Sequence, residues 1–313
     1  MSLIEQAAKR LEQLRQAGVE LPEEPAARTP AQKSHAAATA PDPYETPIIQ
    51  PSATVGEQRK TATQVSKRVE LNLEAISASG LLVPQATRSQ LADEYRVIKR
   101  PLIANAMGKG GEQLANGNLI MVTSALPGEG KSFTAINLAI SIAMELDNTV
   151  MLVDADVARP SVLNMLGLPP APGLLDVVDK NSVDISGVLL RTNIEKLSIL
   201  PSGTQHPRAT ELLASDAMVR LLDDMSSRYN DRIIIFDSPP LLLTTESRAL
   251  ATHMGQIVIV VNAENTAQAA VKQAVDAIAA CPVKMMVLNQ ARQASTDGYG
   301  YGYGYGYGYG NEK

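Results

Sequence analysis

Leu119-Ile-Met-Val-Thr-Ser-Ala125-Leu-Pro-Gly-Glu-Gly130-Lys131-Ser132 joins an apolar run of strand length to a glycine-rich turn, and a helix-length segment, Ser132–Leu146, follows. This is the phosphate-loop pattern, with alanine where the opening glycine usually stands. Backbone N–H groups from Gly128 to Lys131 can face phosphate oxygens only where side chains stay out of the way, which explains the glycines. The helix adds its positive end. Lys131 supplies a point charge and the Ser132 hydroxyl a ligand for Mg²⁺.

Outward from that stretch the pattern repeats. Apolar runs recur at Val150–Val153, Leu197–Leu200, Ile233–Phe236, Ile257–Val261 and Val283–Leu288, with helix-length segments at Ala209–Tyr229 and Ala267–Ala279. Strands alternating with helices predict an α/β fold, a mostly parallel central sheet flanked by helices. Right-handed crossovers place the strand C-termini on one edge, where ligands bind. Two of those ends carry carboxylates: Asp154 and Asp156 after the second strand, Asp237 after the fourth. Mg²⁺ keeps several waters and takes few protein ligands, so Ser132, Asp156 and Asp237 are its expected set. The alternative for Asp154 and Asp156 is helix capping.

Composition narrows the classes. The 313 residues carry a net charge of −5, with 45% hydrophobic and 4% aromatic content and no Trp. An acidic chain argues against a general nucleic-acid surface. Scarce aromatics imply an aliphatic core, as in buried parallel sheets. The single cysteine, Cys281, excludes an intramolecular disulfide and any multi-cysteine metal site. His35, His206 and His253 show no metal spacing. No apolar run approaches the roughly 18–20 residues that span a bilayer, and the N-terminus lacks a signal-peptide block, so a cytoplasmic protein is expected, meeting membranes through a partner.

The ends differ from the middle. Residues 2–19 fit a short amphipathic helix with Leu3, Ala7, Leu11 and Leu14 as its stripe. Seven prolines between Pro22 and Pro51 read as an extended, disordered linker; residues 60–88 are ambiguous. Leu91, Tyr95, Ile98 and Leu102 recur at helical spacing, with Pro101 expected to bend or end that helix. At the other end Gly298–Gly310 alternates glycine and tyrosine and holds six of the nine tyrosines: Tyr299, Tyr301, Tyr303, Tyr305, Tyr307 and Tyr309. Such a repeat cannot be core, because glycine loses the most backbone entropy on ordering. It offers a row of phenols roughly 6–7 Å apart when extended.

Phosphate loop, paired acidic loops and tyrosine tail together resemble the bacterial tyrosine autokinases (BY-kinases) of exopolysaccharide synthesis, over about residues 85–310. Ser124 to Ser132 matches the family's phosphate loop, Asp154 and Asp156 its Asp-x-Asp loop, and Asp237 to Pro240 its Asp-Ser-Pro-Pro segment. The whole chain looks most like the free-standing kinases encoded with exosortase-type or related loci. The resemblance implies ATP with Mg²⁺ as cofactors and Lys131, Asp154, Asp156 and Asp237 as the catalytic set, with Asp154 acting on the acceptor tyrosine. It implies nucleotide contacts from Pro127, Gly128, Glu129, Gly130, Lys131, Ser132 and Phe133. Asn289, ending the last strand, is a candidate for the adenine edge or a structural residue. The resemblance further implies phosphorylation of the tail tyrosines in trans, a homo-oligomeric ring, and a membrane-bound polysaccharide chain-length regulator as activator at the inner face of the membrane. A cognate tyrosine phosphatase also fits.

Three departures stand out. Ala158 occupies the position where the family has arginine, with Arg159 one place later. The oligomerisation signature appears as Asp93-x-x-Arg96-x-x-Lys99, and lysine lacks the bidentate fork of arginine. The tail alternates strictly with glycine. The chain accordingly divides into an N-terminal helix (1–20), a Pro/Ala-rich linker (21–88), a P-loop kinase domain (89–297) and the tail (298–313). Partitioning and division-site ATPases share the sheet, but their extra lysine in the loop is replaced here by Leu126. A nucleotide switch without kinase activity remains the alternative reading.

Overall fold

The computed structural model describes residues 66–291, except 87, 110–113, 180–182 and 229–231. The N-terminal helix, most of the linker and the Gly-Tyr tail lie outside the described residues.

In chain order the elements are β1 (Lys67–Arg68), α1 (Leu73–Ala78), α2 (Gln90–Ala106), β2 (Leu119–Ser124), α3 (Lys131–Ala143), β3 (Thr149–Asp154), α4 (Val162–Met165), α5 (Leu174–Asp179) and α6 (Ile185–Val188). Then follow β4 (Leu190–Arg191), β5 (Leu197–Leu200), α7 (Ala209–Leu213), α8 (Asp216–Arg228), β6 (Arg232–Asp237), α9 (Thr245–Ala251), β7 (Gln256–Asn262), α10 (Gln268–Ala277) and β8 (Val283–Asn289). The eight strands form one sheet in the order β1-β4-β5-β3-β6-β2-β7-β8, parallel throughout except for the β4–β5 pair. All six apolar runs of the sequence are strands, within one or two residues of their expected ends.

The sheet is covered on both faces. Leu119 and Met121 of β2 belong to one apolar cluster and Ile120 and Val122 to the other, and the whole strand is buried. That is why its sequence is continuously apolar rather than alternating. Helix α3 has the same cause: eleven of its thirteen residues are buried, so it is apolar all round rather than striped.

Two helices depart from expectation. α2 runs through Pro101 to Ala106. Pro101 cannot donate to the Val97 carbonyl, but both residues are exposed, Val97 at 72%, so water can satisfy that oxygen and the helix continues. The segment expected at Ala209–Tyr229 is instead two helices. The Ser215 hydroxyl donates to the Leu212 carbonyl (2.7 Å) and accepts from the Met218 N–H (3.3 Å), closing one helix and opening the next.

Residues 66–86 correct the expected linker boundary. They pair β1 with β4, form α1 and bury Leu71, Ile76, Leu81, Leu82 and Val83 in the core, so the folded unit begins at or before Ser66. Two asparagines hold the segment. Asn193 accepts from the Leu71 N–H (2.9 Å) and donates to its carbonyl (3.1 Å), and Asn137 accepts from the Leu82 N–H (2.7 Å).

Candidate functional site

β2 is central, and its successor β3 lies beyond β6 rather than beside it. This reversal of order opens a crevice at the strand C-termini, the usual ligand position of such sheets. Register brings the acids together there: Asp154 of β3 pairs with Asp237 of β6, and Asp237 pairs with Val122 of β2.

The phosphate loop turns on Gly128 (φ +83°) and Gly130 (φ +93°), both in the left-handed region. Gly130 is needed twice over, because a Cβ there would stand 2.1 Å from the Asn289 side-chain nitrogen. Asn289 donates to the Glu129 carbonyl (2.9 Å) and Gln290 to the Gly128 carbonyl (3.3 Å). The Asn289 amide, a candidate for the adenine edge or a structural residue, here braces the loop.

Glu129, also expected among the nucleotide contacts, turns its carboxylate into the protein. It is 3% exposed and accepts from the backbone N–H groups of Leu126 (2.6 Å) and Asn262 (3.4 Å) and from the Thr266 hydroxyl. Pro127 and Gly128 form the exposed rim. Phe133 is half-buried and lines a groove between α2 and β8 with Tyr95 and Leu288.

Lys131 and Asp156 form a close ion pair (2.7 Å), and the Lys131 ammonium also donates to the Ser132 hydroxyl (3.3 Å). Burial alone would lower the Lys131 pKa, but the charges of Asp237, Asp156 and Asp154 outweigh it and hold the ammonium above its ordinary value. Ser161, absent from the sequence reading, donates its hydroxyl to Ser132 (2.9 Å). Only the three-dimensional return of the chain after Pro160 brings it there.

Asp154 has two faces. One oxygen accepts from the N–H groups of Ser161 (3.1 Å) and Val162 (3.0 Å), so the residue does cap α4. Its other oxygen is buried without a partner. Burial, then the Asp237 charge, push its pKa up to about 7, against the pull of the Val162 N–H. Asp237 is wholly buried and, apart from the Ser132 hydroxyl that helps hold its pKa down, its oxygens have no hydrogen-bond partner. Burial raises its pKa to about 6 although the Lys131 charge opposes it.

Orphaned carboxylate oxygens are costly unless a ligand completes them. No cluster of three or more His, Cys, Asp or Glu with metal-holding geometry occurs among the described residues. Mg²⁺ takes one or two carboxylates and fills its shell with water and phosphate. Asp237, Asp156 and the Ser132 hydroxyl fit it.

In the expected oligomerisation set, Asp93 and Arg96 are exposed and paired with each other. Lys99 is not at the surface. It is 5% exposed and donates to the Ser141 carbonyl (2.6 Å) and Glu145 (2.7 Å), binding α2 to the end of α3. Its long stem explains the difference: helical spacing put it beside the polar face, but the amine reaches back across the neighbouring helix.

Loop, lysine, hydroxyl and acidic strand ends define a P-loop nucleotide-binding protein of the parallel-sheet type. The AAA domain family profile matches residues 117–289. The tyrosine-protein kinase YwqD of Bacillus subtilis is 34% identical over 167 residues, covering 53% of this chain and 69% of YwqD. The succinoglycan biosynthesis transport protein ExoP of Rhizobium meliloti is 31% identical over 58% of this chain, a match that spans 22% of ExoP. The crystal structure of the chimerical protein CapA2B2 superposes with a TM-score of 0.59 at 28% identity, covering 73% of this chain and 95% of that one. The chain belongs to the AAA domain family and, within it, to the bacterial tyrosine-protein kinases.

Proposed function

We propose that this chain is an ATP-dependent autokinase that phosphorylates the tyrosines of its own Gly-Tyr tail between copies, as part of the control of exopolysaccharide polymerisation or export. The observation that carries this reading is the unpartnered, buried oxygen of Asp154 beside Lys131 and Asp237, in a chain that carries a row of six phenols between Tyr299 and Tyr309.

The loop from Gly128 to Ser132 holds the β- and γ-phosphates, with Lys131 as the charge that follows the transferring group. Ser132, Asp156 and Asp237 would hold a Mg²⁺ ion, which would supply neutralisation of the phosphate charge. The acceptor oxygen attacks the γ-phosphorus, the bond from that phosphorus to the bridging oxygen breaks, and ADP leaves. A phenol with pKa near 10 must lose its proton in this step, and the free Asp154 oxygen receives it, a contribution of about 10²–10⁴-fold. The capped oxygen keeps the carboxylate aimed.

The names of the relatives support the setting: one is a tyrosine-protein kinase and another a succinoglycan transport protein. No helix among the described residues is long and apolar enough to cross a membrane. The arrangement proposed with it is a cytoplasmic kinase acting as a homo-oligomer beside a membrane-bound chain-length regulator, with a phosphatase to reset it.

The test is phosphotyrosine on the purified full chain incubated with ATP and Mg²⁺. Wild type is expected to gain it and Lys131→Met to lose it, by more than about 10³-fold, while circular dichroism stays unchanged. Wild-type ATP hydrolysis without any phosphotyrosine would replace this reading with a nucleotide switch.

A further inference from the structure

Beside Asp154 the protein has a second recess, distinct from the phosphate loop. It has a volume of about 570 Å³, is mainly apolar, and is walled by Pro160, Leu163, Leu168, Pro170 and Pro172, with Gln205 on its rim. Its walls are fixed. The Asp176 carboxylate accepts from the N–H groups of both Gly173 and Thr204 (2.9 Å each), clipping the two wall loops together. Leu174 and Leu175 donate to the carbonyls of Pro201 and Ser202. A Cβ on Gly173 would stand 2.0 Å from the Pro201 oxygen, so the loops are in backbone contact. Prolines lock φ and give up no N–H, so the proline wall neither yields nor donates; the polar groups of the lining come from Asn164, Ser202, Thr204 and Gln205.

No Lys, Arg or His lines the recess, and the exposed Arg159 is not part of its lining. Its one ionisable wall residue is Asp154, which is 1% exposed and has one oxygen without a hydrogen-bond partner. Pockets of about 300–1,000 Å³ hold small ligands, so the recess has room for a phenol with its neighbours. In an extended Gly-Tyr repeat, residues two apart share a face about 6–7 Å apart. A tyrosine inserted to Asp154 therefore lays the next tyrosine along the proline wall.

We propose that this recess is a subsite for the neighbouring tyrosine, and that it accepts that neighbour only while it is unphosphorylated. The proposal rests on the autokinase reading and adds a rule to it. A phosphotyrosine carries about −1.5 to −2 charges. Along this wall it meets mainly apolar surface, no Lys, Arg or His among the lining residues, and the carboxyl group of Asp154. Each transfer thus disfavours transfer two residues away, and the tail fills first at alternate tyrosines. The chemical step is unchanged: the acceptor oxygen bonds to the γ-phosphorus, ADP departs, and the phenolic proton passes to Asp154.

The experiment uses the full chain with its six tail tyrosines changed to Phe as the enzyme. Two peptides serve as substrates: Gly-Phe-Gly-Tyr-Gly-Phe-Gly, and the same peptide with phosphotyrosine replacing the Phe that follows the acceptor. The phosphorylated peptide is expected to show a KM at least about tenfold higher, with the KM for ATP unchanged. Gln205→Lys, which places a cation on the exposed rim, is expected to cut that ratio to about threefold or less. Equal KM values for the two peptides overturn the proposal, as does a ratio that Gln205→Lys leaves at its wild-type value. Failure to use either peptide, by an enzyme whose wild-type tail is phosphorylated, overturns it too. If the wild-type chain gains no phosphotyrosine at all, the autokinase reading falls and this rule with it.

Discussion

The two sides of the crevice treat their polar groups in opposite ways. On the phosphate-loop side nearly everything is tied down: Glu129 satisfies three donors, and Asn289 and Gln290 take up the Glu129 and Gly128 carbonyls. On the acidic side, Asp237 has little beyond the Ser132 hydroxyl, and Asp154 has no partner on one oxygen. The braced side is built before the ligand arrives, which is what binding an anion on backbone dipoles demands. The open side stores unmet demand for a cation and a proton. Unpartnered buried carboxylates cost stability, which is the ground for proposing that the chemistry happens there.

Breaking the open side gives the largest effect. Asp154→Asn keeps an oxygen for the Ser161 and Val162 N–H groups, so α4 remains capped, but it cannot take a proton. Phosphotransfer to tyrosine is expected to fall by about 10²–10⁴-fold with nucleotide affinity nearly unchanged, read by phosphotyrosine rate and by nucleotide titration. Asp154→Ala should lose the same rate and also about 1 kcal/mol of stability from the missing cap, read by denaturant unfolding. A rate loss in the alanine variant alone would make Asp154 a capping residue and nothing more.

Breaking the braced side gives a smaller and different effect. Glu129→Ala strands three donors around a buried site, at a cost of about 1–3 kcal/mol. The loop should lose its preset shape, weakening ATP binding by about tenfold, while the rate at saturating ATP changes by less than about threefold. If affinity holds and only the rate falls, Glu129 belongs with the reacting groups and the contrast between the two sides is wrong.

What was legible in the sequence follows the same divide. Strands buried on both faces announce themselves as apolar runs, and the phosphate loop is a local pattern whose glycines answer to local geometry. Lys131 was visible in the loop pattern, and Asp154, Asp156 and Asp237 because they follow the ends of those runs. Ser161, the bracing carboxylate of Glu129 and the buried amine of Lys99 were not. Each acts through a partner brought close by the fold: Ser132, Thr266 and Glu145 respectively. Nothing in the spacing of one helix or loop encodes such a meeting. The split at Ser215 is a milder case, since a serine inside a helical pattern caps as readily as it continues.

Residues 66–86 show the same limit at the scale of a segment, and they give the smallest functional effect to test. Their alternation is too short to declare a strand, and their anchors, Asn193 and Asn137, lie 122 and 55 residues from the backbone groups they hold. Asn193→Ala removes both hydrogen bonds to Leu71. The N–H and carbonyl are partly buried, so about 1–2 kcal/mol of stability should be lost. Asn193 thus braces backbone as Glu129 does, but away from the crevice. ATP affinity and transfer rate are expected to stay within about twofold of wild type, measured beside Glu129→Ala under the same conditions. If Asn193→Ala weakens ATP as much as Glu129→Ala does at equal loss of stability, general loosening of the domain explains both. If it does not, the brace at Glu129 is specific to the phosphate loop.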